Sequence, residues 1–230
     1  ESEDRFRRFA SDASDELRTP LTSIRGYLDL YAAGAFRDDG QLDDVVRRMQ
    51  AEAGRMQALV EELLELARFD EGRSIDVATV DVQRLVADVA ANASAAHPDR
   101  SISAPAPSSD GVVVRADAAR ITQVITLLVD NALTHAPEAS EELLVAPADG
   151  GAVVAVVADG PGLTEDDAAR VFTRFFRGDS SRARSTGGSG LGLSIAAAIV
   201  DAHQGELRLL TAPGAGCRFE IVLPSDPSAA

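Results

Sequence analysis

Asp159 closes a valine-rich apolar run and is followed at once by Gly160, Pro161 and Gly162. A carboxylate at the end of a buried strand, beside glycines that let another molecule reach the backbone, suits hydrogen bonding to a flat ligand edge such as an adenine amino group. The same four residues also suit a plain turn. About thirty residues on, "GGSGLGLSIA" places Gly187, Gly188, Gly190 and Gly192 just before a helical pattern, and open amides at a helix start bind phosphate. The chain contains no lysine, so this is not the lysine-bearing phosphate loop. Between the two stretches, "RVFTRFFRGDSSRARST" sets Phe172, Phe175 and Phe176 beside Arg174, Arg177, Arg182 and Arg184, opposed only by Asp179. That pattern reads as a basic lid hinged on aromatics over polyphosphate, or as a solvated loop with an aromatic foot. Upstream, "VDNALTHA" carries Asn131 one turn from Leu127 and from His135. An asparagine carbonyl there can bridge a magnesium ion to phosphates, and it can equally be an ordinary polar helix residue.

The elements that must carry these residues alternate between helix and strand after about Val77. Gln83 to Ala96, Asp117 to His135, Asp166 to Phe172 and Leu193 to His203 have helical patterns, and Asp117 is placed to cap its helix. Val112 to Arg115 reads as a strand, Val153 to Ala158 as a fully buried one, and Glu206 to Leu210 with Cys217 to Leu223 as a hairpin around "APGAG". This order predicts an α/β sandwich, one mixed sheet covered by helices on one face.

The first third differs. From Asp4 to about Ala33 a heptad places Ala10, Leu17, Ile24 and Tyr31 at one seam position and Phe6, Ala13, Pro20 and Tyr27 at the other. A second run has Leu42, Met49, Met56 and Leu63 at one and Val45, Leu59 and Leu66 at the other, widened by Val46, Ala53, Val60 and Ala67. The loop with Gly34 and Gly40 makes the two helices antiparallel neighbours. Two helices bury little, so the broad stripe predicts a homodimeric four-helix bundle, with packing on the chain itself as the alternative. The whole is therefore α+β: hairpin in residues 1–70, linker 71–76, α/β domain 77–224 and tail 225–230.

Composition narrows the function. With 45% hydrophobic and 26% charged residues this is an ordinary globular chain, and its longest purely apolar stretch, Ala152 to Ala158, cannot span a bilayer. A formal charge of -15 repels a phosphodiester backbone, so no nucleic-acid partner is expected. The single Cys217 excludes an internal disulfide and fits a reducing compartment.

In their order these motifs resemble the ATP-binding domain of sensor histidine kinases, within the gyrase/Hsp90/histidine-kinase/MutL ATPase superfamily. "DNAL" looks like the N-box, "DGPGL" the G1 box, "FTRFFRG" the F-box and "GGSGLGLSIA" the G2 box, and "FASDASDELRTPLTSIRGY" looks like the H-box of the phosphoacceptor hairpin. The resemblance implies a Bergerat-type fold that binds ATP through Asn131, His135, Asp159, Gly160, Gly162, Arg177, Gly188, Gly190, Leu191 and Gly192, with Asn131 the Mg²⁺ ligand. It implies a homodimer that signals to a response regulator, on the cytoplasmic side of a membrane-anchored parent, without membrane contact by this part.

Two positions depart from the family pattern. Asp15 stands where the phosphoaccepting histidine belongs, and none of His97, His135 and His203 lies in the hairpin. Leu127 stands where a further asparagine is usual and where ATP-hydrolysing cousins place a glutamate base. By resemblance Glu16 is the base for the acceptor, and Thr19 the residue that positions water to dephosphorylate a partner. Asp15 falls opposite the heptad seam with Thr19 one turn along, and Pro20 predicts a bend just after Asp15. An aspartate is shorter than a histidine and anionic at neutral pH, so autophosphorylation is expected to be lost or nearly lost, whether the residue is natural or engineered. A nucleotide-binding scaffold without chemistry and a phosphatase using Thr19 stay open beside the kinase.

Overall fold

The computed structural model describes residues 2–36, 38–70, 75–106, 111–136, 139–148, 150–178 and 188–226. The chain divides into two compact units, Glu1–Ala67 and Arg68–Ala230.

The first unit is the expected hairpin, α1 (Ser2–Ala32) and α2 (Asp39–Asp70). Gly34, at φ +69, ends α1: its N–H donates to the Tyr31 carbonyl and the Ala35 N–H to that of Leu30, satisfying carbonyls the helix leaves open. Asp38 starts α2 by accepting the Gln41 N–H at 2.8 Å. Leu17, Ile24, Tyr27 and Pro20 are half-buried, and Val45 and Leu59 are buried, as the heptads require, whereas the seam residues Ala10 and Tyr31 are exposed. The helix α1 stays helical through Pro20, because losing one N–H leaves the flanking turns intact.

Among the described residues the second unit holds seven strands: β1 (Ala78–Asp81), β2 (Ile102–Ser103), β3 (Val113–Ala116), β4 (Glu141–Ala148), β5 (Gly151–Ala158), β6 (Glu206–Thr211) and β7 (Cys217–Pro224). Between them lie α3 (Val82–Ala96), α4 (Ala118–His135), α5 (Glu165–Ala168) and α6 (Gly192–Ala202). Strands β1 and β3 form an antiparallel pair. The other five make a mixed sheet in the order β2-β4-β5-β7-β6, parallel only between β2 and β4. Register puts Leu143, Val156 and Phe219 in one cross-strand row and Val154 and Ile221 in another, all buried. The opposite face carries Arg208, Glu220 and Arg218, so one face is apolar and packed with helices.

Three expectations change. Strand β5 is not buried on both faces: Val153 and Val157, on the polar face, are half-exposed. The helix expected from Asp166 to Phe172 is a single turn, capped by Thr164, because Phe172 turns to pack edge-to-face on Phe219 at 6.2 Å. Strands β1, β2 and β4 escaped the reading; β4 opens with two glutamates and contains Pro147, tolerated where β4 has run past its short neighbour β2.

The core centres on α4, which buries Ile121, Val124, Ile125, Leu128 and Val129 against the sheet and its flanking helices. Its start is pinned by His203, 1% exposed, whose Nδ1–H donates to the Ile199 carbonyl at 2.8 Å while Nε2 accepts the Asp117 N–H at 3.0 Å. Those two bonds require one proton on the ring and fix where it sits. Replacing His203 by leucine strands the Asp117 N–H, and the expected loss is about 1–3 kcal/mol of stability, read from denaturant unfolding.

Candidate functional site

The cleft is made by elements that meet where no side chain intervenes. Gly160, just past the end of β5, lies so close to the C-cap of α4 that an added Cβ would sit 2.6 Å from Cβ of Ala136. An added Cβ on Gly192, the first residue of α6, would stand 3.4 Å from Leu127 of α4. Helix α4, with half-buried Asn131 and exposed His135 on its last turns, thus runs between the Asp159 loop and the start of α6. Gly190 has φ +75, and a Cβ there would fall 2.9 Å from the backbone of both Phe175 and Phe176. The aromatic stretch and the glycine-rich loop are therefore packed backbone to backbone, with Phe175 itself at φ 60. Arg170 stacks over the Phe176 ring at 5.1 Å and holds the root of that stretch.

Asp159 is exposed, and Ser140 orients it: the Ser140 N–H donates to Oδ1 at 2.6 Å and the hydroxyl to Oδ2 at 3.0 Å. These bonds, the backbone one first, hold the carboxyl below the usual aspartate range, so it stays an acceptor. Gly162 lies in the left-handed region against the Ala212 carbonyl. Beside it Thr211 Oγ1 accepts the Leu163 N–H at 3.0 Å and donates to the Gly216 carbonyl at 2.7 Å. One hydroxyl thereby joins the loop after Asp159 to the turn between β6 and β7.

The start of α6 differs from those of its neighbours. Asp81, Asp117 and Thr164 cap α3, α4 and α5 through their side chains, whereas Leu191, at the start of α6, makes no side-chain cap. Ser189 Oγ instead accepts the Leu191 N–H at 3.1 Å. An uncapped start behind a glycine turn is where an anion finds free N–H groups. Gly188, Arg177 and Arg174 lie in the described part of this region; Asp179, Arg182, Arg184 and Gly187 lie outside the described residues.

In the hairpin, Asp15 and Thr19 are exposed on one face of α1, and Glu16 is half-buried. Asp15 pairs with Arg18, and the Thr19 hydroxyl donates to the Asp15 carbonyl at 3.4 Å. An exposed pair of this kind is worth about 0–1 kcal/mol and opens easily.

Residues 7–72 match the His Kinase A (phospho-acceptor) domain, and residues 116–227 match the histidine kinase-, DNA gyrase B- and HSP90-like ATPase. The chain belongs to the histidine kinase family. It is 40% identical over 227 residues to the probable sensor histidine kinase TcrY of Mycobacterium tuberculosis, covering 98% of this chain and 47% of TcrY. To the sensor histidine kinase YkoH of Bacillus subtilis it is 34% identical over 213 residues, 93% of this chain and 46% of YkoH. The chain thus spans about half the length of these curated relatives. Among solved structures, the Acinetobacter baumannii histidine kinase AdeS superposes with a TM-score of 0.70 at 21% identity, over 91% of this chain and 97% of AdeS. Histidine kinase ThkA, solved with the response regulator TrrA, gives 0.76 at 22% identity over 97% and 63%. Full-length ShkA, solved with AMPPNP, gives 0.67 at 24% over 96% and 47%. These likenesses bear out the hairpin followed by an α/β domain with a mixed sheet.

Sequence reasoning missed Ser140 and Thr211. A serine in "EASEE" and a threonine ending a strand carry no local signature; only the strand pairing brings them to Asp159 and Leu163. In Ser140→Ala the Asp159 carboxyl keeps its backbone bond but loses the hydroxyl, so its titration moves up toward the ordinary aspartate range. Carboxyl-carbon NMR across acid pH reads this. Because the folded value lies below the unfolded one, the stability this carboxylate adds is present above the ordinary range and fades as pH falls through the folded value.

Proposed function

We propose that this chain is the part of a two-component sensor kinase that binds Mg-ATP and passes a phosphoryl group toward a response regulator, with Asp15 at the phosphoacceptor position. Residues 1–70 are the dimerisation hairpin and residues 77–224 the nucleotide-binding domain, joined by 71–76 and followed by a tail, 225–230. The observation that carries the reading is the uncapped start of α6, packed through Gly190 on the Phe175–Phe176 backbone in the same domain as the ionised Asp159. Asp159 takes the adenine amino group; Gly160 and Gly162 let the base approach; Gly188, Gly190 and Gly192 offer amides to the phosphates, and Leu191 adds its own on exchanging Ser189 Oγ for a phosphate oxygen. Arg177 and His135 flank the polyphosphate. The match to an ATPase family and the AMPPNP held by ShkA support this assignment.

The residues present fit a magnesium ion of one kind. Among the described residues no group of three His, Cys, Asp or Glu could hold a metal. Asn131 would supply one oxygen and the nucleotide and water the rest, the mode Mg²⁺ prefers. Bound there, the ion would neutralise charge on the phosphates.

Glu16 and Thr19 stand beside Asp15 in the roles the family gives them, base and water-positioning residue. Asp15 is shorter than the histidine the family uses, and a misplacement of about 1 Å can cost roughly 100-fold in rate. Its carboxylate also meets the terminal phosphate as a like charge. Autophosphorylation is therefore lost or nearly lost in this chain, and labelled ATP should leave no acid- or base-labile phosphate on it. Asp15→His should restore labelling; an Asp15→His chain that binds ATP and stays unlabelled contradicts the reading. Asp159→Asn should weaken ATP roughly 10- to 100-fold, the scale of a hydrogen bond to a charged group, in isothermal titration. A second reading, a phosphatase acting on the regulator, rests on the exposed Thr19; phosphate loss from a phosphorylated regulator that vanishes in Thr19→Ala favours it. No loss in either chain favours a scaffold.

The hairpin supports a homodimer. Leu21, Leu28 and Tyr31 of α1 and Val46, Val60 and Leu64 of α2 are 39–58% exposed, an apolar stripe the hairpin leaves uncovered. Its burial in a four-helix bundle predicts a mass of two chains in sedimentation, and Leu28→Arg should shift that mass toward one. This chain works on the cytoplasmic side of a membrane-anchored parent; no helix among the described residues is long and apolar enough to cross a membrane.

A further inference from the structure

Arg100 lies between α3 and β2, far in sequence from every residue of the proposed cleft, and its side chain is 15% exposed. Nη1 donates to the Leu133 carbonyl at 3.2 Å, and Nη2 donates to the carbonyls of Ala136 at 2.7 Å and Ala139 at 3.2 Å. Nη2 also pairs with Glu141, whose side chain is fully buried. The first two carbonyls belong to the end of α4: Leu133 has Pro137, which carries no N–H, four residues on, and Ala136 accepts the Ala139 N–H at 3.0 Å as well. Glu141 opens β4, and its N–H donates to the Ser101 carbonyl at 2.9 Å. One guanidinium therefore ties the last turn of α4 to the first residue of β4.

Both tied points touch the adenine end of the cleft. Ala136 is the wall against which Gly160 passes. Ser140, adjacent to Glu141, makes both bonds that orient Asp159. A move of Glu141 carries Ser140 with it, and a move of the α4 end shifts the wall beside Gly160. The planar fork reaches its acceptors in fixed directions, which a lysine ammonium cannot reproduce. In a site this enclosed, such charge-assisted bonds are strong and directional.

We propose that Arg100 is a positioning residue for nucleotide recognition: it sets where Asp159 stands, and through it the affinity and preference for an adenine base. The proposal rests on the reading of Asp159 as the adenine partner. Arg100 does not touch the nucleotide in this scheme.

The test compares the parent chain with Arg100→Lys, Ser140→Ala, Asp159→Asn and the double variant Arg100→Lys/Asp159→Asn. ATP and GTP affinities are read by titration, and Ser140 amide exchange by NMR without nucleotide. Arg100→Lys should weaken ATP about fivefold, the scale of one net hydrogen bond, and leave GTP within about twofold. Ser140 should exchange faster, and the double variant should bind ATP no more weakly than Asp159→Asn alone, since coupled positions do not add. A chain that is merely less stable loses ATP and GTP alike and shows additive effects, and that result overturns the proposal. Unchanged ATP affinity in Arg100→Lys beside weakened Asp159→Asn overturns it alone. An Asp159→Asn chain that binds ATP as well as the parent overturns the reading beneath it as well. If Arg100→Lys fails to fold, Glu141→Gln, which keeps shape and an acceptor, carries the same expectations.

Discussion

Burying a guanidinium among helix ends costs a large desolvation penalty unless its donors find acceptors, and a helix C-terminus leaves carbonyls that need donors. At Arg100 the two terminal amino groups meet those carbonyls and one oxygen of the Glu141 carboxylate, while the buried Arg100 Nε and Glu141 Oε2 find no partner among the described residues. Burial still pushes the Glu141 carboxyl up against the pull of Arg100. The junction of α4 and β4 is held there, while the far end of the same helix is held by the neutral ring of His203 on the Asp117 N–H. A helix pinned at both ends cannot slide along the sheet, so whatever α4 presents at Asn131 and Ala136 is presented in one place.

Much of the cleft is defined by missing side chains. Gly160, Gly190 and Gly192 sit where a single carbon would meet Ala136, the Phe175–Phe176 backbone or Leu127. These contacts bring four separate motifs together. The contrast in capping follows the same logic: α3, α4 and α5 close their starts with their own side chains, and α6 leaves its start open behind the glycine turn. A structural helix gains stability from a cap, whereas a binding helix gains function from lacking one.

The hairpin obeys simpler rules. Its seams follow from heptads, its turn from a glycine in the left-handed region, and its uncovered stripe from having more apolar surface than two helices can share. Asp15 lies on the opposite, solvated side, loosely paired with Arg18. The position is thus open to solvent.

Helix periods, the Asp117 cap, the glycine turn after α1 and the order of the nucleotide motifs were all legible in the residues, because each depends on neighbours a few positions apart. Long α4 and the closing β6–β7 hairpin came out within a residue or two for that reason. Strand β4 did not, since two glutamates and a proline describe a poor strand until Arg100, forty-one residues upstream, neutralises Glu141 and β2 stops short of Pro147. The one-turn α5 likewise depends on Phe219 drawing Phe172 onto the sheet. Local spacing dictated which groups this chain owns; which of them hold Asp159 in place was decided by pairings between distant strands, where only the folded backbone sets the distance.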